Sequence, residues 1–127
     1  MSYTILIVDD SKLARMAVRK VLTALRPDWT LVEAANADDA LSAMEQAAPD
    51  VVVLDFNMPG RDGLDVAAEF RRLNPRMPLG VISANHQQEI VNRAHAIGAS
   101  FLRKPLTEQA LRKFLDDAVH QLGKIAS

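Results

Sequence analysis

Five short apolar runs recur along the chain: Thr4–Val8, Thr30–Ala34, Asp50–Leu54, Leu79–Ser83 and Ser100–Leu102. Each is separated from the next by enough residues for one helix. Three are rich in Val and Ile without polar alternation, as in Ile5-Leu6-Ile7-Val8 and Val51-Val52-Val53-Leu54. An unbroken apolar run of that length suits a strand buried on both faces, as in a parallel sheet covered by helices. Parallel neighbours need right-handed crossovers, so the helices must cover both faces of the sheet. The pattern therefore predicts an α/β fold of five successive βα units, with residues 1–127 as a single domain.

The intervening segments carry helical period. Ala14, Ala17, Val18, Val21, Leu22 and Leu25 fall on one face, with Lys12, Arg15 and Arg19 opposite. Asn36 is placed to cap a second helix bearing Ala37, Ala40, Leu41 and Met44, and Pro49 to stop it. A third is expected over 64–73 and a fourth over 87–97, ended by Gly98. The last is expected from Glu108 to about Leu122, with Thr107 as N-cap, Leu106 stapled onto Leu111, and Gly123 after its end.

Composition excludes several functions. With no Cys there is no disulfide scaffold, thiolate metal site or thiol nucleophile. Fifteen basic against 16 acidic residues give a net charge of −1, unsuited to direct nucleic-acid binding. No apolar run approaches the ~18 residues of a membrane span. Met1-Ser2-Tyr3-Thr4 brings no basic segment before the first apolar run, so a cytoplasmic location without membrane insertion is expected.

Polar residues gather where the predicted strands end. Asp9-Asp10-Ser11 follows the first, Asp55 the third, Ser83 the fourth and Lys104 the fifth. Open α/β sheets bind ligands in the crevice beyond these strand ends. Carboxylates from Asp9, Asp10 and Asp55 would make a hard oxygen site suited to Mg²⁺. Lys104 adds a positive charge and Ser83 a hydroxyl donor. A carboxylate nucleophile, a metal and fixed charges are what phosphoryl transfer requires.

Asp9-Asp10-Ser11, the run from Asp55 to Gly63 (Asp-Phe-Asn-Met-Pro-Gly-Arg-Asp-Gly), Ser83-Ala84 and Lys104-Pro105 closely resemble the receiver domain of bacterial two-component response regulators, of the single-domain CheY-like type. The resemblance covers about residues 4 to 122. It implies a doubly wound, flavodoxin-like three-layer sandwich whose five-stranded parallel sheet has the order 2-1-3-4-5. It also implies that Asp55 is the phosphoacceptor, and that Asp9, Asp10, Asp55 and the backbone carbonyl of Asn57 hold Mg²⁺. Ser83 and Lys104 would engage the phosphoryl oxygens, and Ser83 and Phe101 would form the switch. Phe101 lacks the hydroxyl of relatives with Tyr there, so only a buried-versus-exposed toggle is open to it. Asn57 and Asn85 stand where the family tunes dephosphorylation.

The resemblance further implies a signalling domain that is not an enzyme in its own right but assists its own phosphorylation and dephosphorylation. Its donor would be a sensor histidine kinase or histidine phosphotransfer domain. Its downstream protein would bind the face made by the fourth helix, fifth strand and fifth helix. Plainer readings exist for each residue taken alone: Asp9 and Asp10 as helix caps, Lys104 as a surface lysine, Phe101 as core, Gly60 and Gly63 as turn glycines. Lys12, Arg15 and Arg19 read as a solvated helix face or a basic docking face. A Mg²⁺-dependent phosphohydrolase is a rival, but such enzymes carry the nucleophile after the first strand and have a cap domain. A pseudo-receiver would have lost one of the key residues, and none is lost here.

Overall fold

The computed structural model describes residues 2–58 and 60–126. Strands β1 (Thr4–Val8), β2 (Thr30–Ala34), β3 (Val51–Asp55), β4 (Leu79–Ser83) and β5 (Ser100–Arg103) form one sheet. The order is β2-β1-β3-β4-β5, and every pairing is parallel. Helices α1 (Lys12–Leu25), α2 (Ala37–Ala47), α3 (Gly63–Leu73), α4 (Gln88–Ala96) and α5 (Glu108–Ala126) alternate with the strands. A two-residue antiparallel pair, Asn57–Met58 against Arg61–Asp62, closes the loop before α3. The flavodoxin-like architecture and strand order expected above are those observed.

The all-apolar strand runs are explained by two cores. On one face Leu6, Val8, Val52, Leu54 and Val81 pack under α2, α3 and α4, which contribute Ala40, Phe70 and Ala94. On the other, Ile5, Ile7, Val51, Val53, Ile82 and Leu102 pack under α1 and α5, which contribute Leu22, Leu111, Phe114 and Leu115. Strand side chains alternate faces, so each central strand feeds both cores. β2 is an edge strand and is correspondingly half-exposed.

Caps act largely where the sequence places them. Asn36 accepts from the Asp39 N–H at 2.8 Å, and Thr107 Oγ1 from the Ala110 N–H at 3.0 Å. Gly98 ends α4 in the left-handed region at φ +71°. Several boundaries differ from expectation: α3 begins at Gly63, α4 spans Gln88–Ala96 and β5 reaches Arg103. The third strand runs 51–55, so Asp55 is its last residue and not the residue after it. The second helix is stopped by Ala48, held at φ +44°, one residue ahead of Pro49. The fifth helix passes through Gly123 and continues to Ala126, since an isolated helical glycine weakens a helix without ending it.

Gly63 is required for a reason other than a turn. A Cβ there would lie 2.6–2.8 Å from the backbone of Asp55 and Phe56, so α3 begins pressed against the end of β3. Nothing lies within 4 Å of the corresponding position at Gly123. Gly63→Ala is expected to cost about 1–3 kcal/mol through overpacking against rigid backbone. Gly123→Ala is expected to add about 0.5–1 kcal/mol by removing a helix-interior glycine. Denaturant unfolding measures both. A neutral Gly63→Ala would disprove the tight contact, and a destabilising Gly123→Ala would place the helix end at that glycine.

Candidate functional site

Parallel register brings the acidic residues together. Val8 pairs with Leu54, so Asp9 and Asp55 follow side by side. Alternation then sets their direction. Asp9 continues the row Ile5, Ile7; Asp55 continues Val51, Val53; Lys104 continues Leu102. All three rows belong to the face covered by α1 and α5. Asp10 lies beside them at the mouth of α1 and is exposed. Carboxylate oxygens of Asp9, Asp10 and Asp55 lie within 4.8 Å of one another. Three carboxylates offering oxygen atoms this close together make the cluster compatible with a hard-cation site.

Asp55 is 3 % exposed and Asp9 6 %. Lys104 Nζ stands 3.0 Å from Asp55 Oδ1, and the Asn57 N–H donates to the same oxygen at 3.2 Å. Both contacts hold Oδ1. Asp9 Oδ1 accepts from the Ser11 N–H at 2.9 Å. Burial pushes the Asp9 carboxyl above its ordinary range. The Ser11 N–H and, more weakly, Lys104 oppose that shift, while the Asp55 and Asp10 charges reinforce it. A cation in the cluster would relieve both the burial cost and the repulsion.

Ser83 and Phe101 lie on the other face. Leu79 and Val81 point toward α3 and α4, and Ser83 extends that row. Phe101, opposite Val81, packs partly buried against the same core. The fully buried Ser83 hydroxyl accepts from the Asn85 N–H at 2.9 Å and donates to the Asn85 carbonyl at 3.2 Å. It is thus occupied with the loop to α4. The tie between the two groups is main-chain: the Lys104 N–H donates to the Ser83 carbonyl at 3.1 Å. Phe101 meets His86 edge-on, with ring centroids 6.1 Å apart. Asn57 is exposed at the start of the small antiparallel pair.

Some residues were not legible as site components. Arg15 donates to the Asp9 carbonyl and pairs with Glu33 at 3.1 Å, and Arg19 pairs with the other Glu33 oxygen at 3.1 Å. These arginines tie α1 to the β1 and β2 ends through the Asp9 carbonyl and Glu33. Their i, i+4 spacing was visible, but Glu33 as their partner depends on β2 pairing with β1. Beside Asp9 and Lys104 the surface is instead apolar, a groove lined by Ala17, Val18, Val21, Pro105 and Leu106. Leu13 and Met16 are exposed on the same helix.

The family profile for the response regulator receiver domain matches residues 5–116. An uncharacterized response regulatory protein of Vibrio cholerae is 36% identical over 126 residues, covering 97% of this chain and 47% of its own length. The chemotaxis protein CheY of Thermotoga maritima is 33% identical over 106 residues, covering 83% of this chain and 88% of its own. The crystal structure of a response regulator receiver domain protein from Clostridium thermocellum superposes with a TM-score of 0.89 at 23% identity, covering 97% of this chain and 98% of that one. The chain spans about half the length of several curated relatives that it matches. Among the described residues, no helix is long and apolar enough to cross a membrane. The chain belongs to the response regulator receiver domain family.

The raised Asp9 carboxyl carries a testable sign. Protonation is easier in the folded state, so its contribution to stability is fully present below the unfolded value near 3.8. It is lost as pH rises through the raised folded value. In chelator, Asp9→Asn is therefore expected to gain on wild type as pH rises through that window, and then to hold a constant lead. Thermal unfolding across the window measures this, and a pH-independent difference would contradict the assignment.

Proposed function

We propose that this receiver domain accepts a phosphoryl group onto Asp55, in the presence of Mg²⁺, from the phosphohistidine of a sensor kinase or histidine phosphotransfer protein. Its affinity for a downstream protein then changes. The observation that carries this reading is the buried Asp55 carboxylate, 3.0 Å from Lys104 Nζ and within a three-carboxylate cluster. An Asp55 oxygen attacks phosphorus, the oxygen–phosphorus bond forms, and the phosphorus–nitrogen bond breaks with its electron pair returning to the imidazole. Lys104 then exchanges the carboxylate for a phosphoryl oxygen. Asp9, Asp10, Asp55 and the Asn57 carbonyl would hold Mg²⁺, which supplies charge neutralisation at the carboxylates and the transferring group.

The hydroxyl of Ser83 exchanges Asn85 for a phosphoryl oxygen, which releases the loop to α4 and lets Phe101 leave its contact with His86. The surface made by α4, β5 and α5 is the downstream protein's binding face. The apolar groove beside Asp9 and Lys104, with Leu13 and Met16 exposed, supports docking of a protein donor next to the acceptor. The domain is a cytoplasmic signalling module that assists its own phosphorylation and dephosphorylation, without nucleic-acid contact or membrane insertion of its own. The acceptor's place at the end of the third strand favours this reading over a phosphohydrolase.

A small phosphodonor with Mg²⁺ is expected to label wild type once, at Asp55, and to leave Asp55→Asn unlabelled, as read by mass spectrometry. Labelling of the variant would remove Asp55 as acceptor. Mg²⁺ at about 100 times its Kd is expected to stabilise wild type by about 2.7 kcal/mol. Asp10→Asn is expected to gain much less at the same concentration. Equal shifts in melting temperature for the two proteins would argue against this metal site.

A further inference from the structure

The two ends of α4 are held by different means. At the C-terminal end the Gly98 N–H bonds the His95 carbonyl at 2.9 Å, and the Ala99 N–H bonds the Ala94 carbonyl at 2.9 Å. This pair of bonds around a left-handed glycine closes the helix firmly. The Ile97 and Gly98 carbonyls beyond it are taken by one side chain, Arg71 of α3. Its Nε donates to the Ile97 carbonyl at 2.7 Å and Nη2 to the Gly98 carbonyl at 3.2 Å. The same guanidinium donates through Nη1 to the Met77, Pro75 and Asn74 carbonyls at 2.7, 3.1 and 3.3 Å. One cation thus gathers five main-chain carbonyls from two connections. It also sits at the negative end of the α4 dipole, where positive charge is favoured.

Among the described residues the N-terminal end has no comparable clamp on its main chain; it is seated by the buried Ile90 and by the edge-on contact of His86 with Phe101. Gln87, its N-cap, makes no side-chain capping bond. The Gln87 N–H donates to Asn85 Oδ1 at 3.0 Å, and the Asn85 N–H donates to Ser83 Oγ at 2.9 Å. His86, Gln87, Gln88 and Glu89 are exposed. Besides these side-chain contacts, the loop leading into this end is held by two hydrogen bonds in series that lead to the Ser83 hydroxyl, which has only to rotate to release them. A lateral tie from Arg93 to Asp62 at 3.1 Å is partly exposed and correspondingly weaker.

We infer that Arg71 is the pivot of the switch: it fixes the C-terminal end of α4 to the α3–β4 connection, so that a change at Ser83 is expressed as movement of the Asn85–Asn92 end. This rests on the reading of Asp55 as phosphoacceptor and Ser83 as the responding hydroxyl. Arg71 touches neither the acceptor nor the metal ligands, and acts as a positioning residue. Its position in the fold, at the end of the sheet away from Asp55, turns a local change at one strand end into a swing of the helix.

The test is NMR on the full chain, wild type and Arg71→Lys, with and without beryllofluoride plus Mg²⁺. Lysine keeps the charge but cannot reach two connections with one planar fork. Without beryllofluoride, Arg71→Lys is expected to speed amide hydrogen exchange at Ile97, Gly98 and Ala99 by about tenfold, while β1 and β3 amides stay protected. With beryllofluoride, wild-type shift changes are expected over Asn85–Asn92, leaving Ala94–Ala99 nearly unmoved; in Arg71→Lys they extend through Ala94–Ala99. Wild-type changes as large at Ala94–Ala99 as at Asn85–Asn92 would overturn the pivot, as would a variant matching wild type in both conditions. The wild-type comparison decides alone if Arg71→Lys does not fold. If the loops at Asp9, Asp55 and Lys104 respond while α4 moves as a body, only the pivot fails. If those loops do not respond, the acceptor reading fails with it.

Discussion

Parallel pairing of β1 with β3 in one fixed register underlies every feature of the site. Because side chains alternate with a period of two, a slip of one residue in β3 would turn Asp55 toward α3 and place Leu54 under α5. The polar residues at the ends of the apolar run oppose that slip: at its start Asp50 accepts from the Thr4 N–H at 2.9 Å and donates its own N–H to the Thr4 carbonyl at 2.8 Å. Register thus aims the carboxylates. The same rows that exclude water bring Asp9 and Asp55 to the sheet edge already facing one another.

That aiming works against stability. Carboxylates gathered within 4.8 Å repel, and the two buried ones, Asp9 and Asp55, also lose hydration. Lys104 offsets part of this at Asp55, and main-chain N–H groups of Ser11 and Asn57 hold the oxygens. Asp9 still carries a raised carboxyl, with burial as the first cause. The surrounding scaffold over-determines the arrangement. Arg15 ties α1 to the Asp9 carbonyl and to Glu33, and Gly63 lets α3 start directly against Asp55 and Phe56. Functional sites commonly hold such local tension against a rigid surround.

Division of the site between two sheet faces shapes how a signal could travel. Asp9, Asp55 and Lys104 extend rows on the α1 and α5 side, whereas Ser83 and Phe101 extend rows on the α4 side. Strand ends separate the two groups, joined by the Lys104 N–H to Ser83 carbonyl bond. On the proposed reading of Asp55 as acceptor, the added group would meet Ser83 over the strand ends. From there the Asn85 and Gln87 hydrogen bonds lead outward to α4.

Local sequence determined a great deal. The unbroken apolar runs and the helical stripes between them define five βα units, because period and burial are written in neighbouring residues. Asn36, Thr107 and Gly98 mark helix ends through short-range hydrogen bonds and backbone preference. Asp9, Asp10, Asp55, Ser83 and Lys104 stand out because polar residues interrupt apolar patterns there. Other features were decided only by tertiary structure. Gly63 is needed for a close backbone approach and not for a turn, Arg15 and Arg19 meet Glu33 across paired strands, and Ser83 turns away from the acidic cluster. Arg71 finds the Ile97 carbonyl 26 residues away. Each of these depends on strand register and helix placement, which are set by the summed packing of two cores and by no local run of residues.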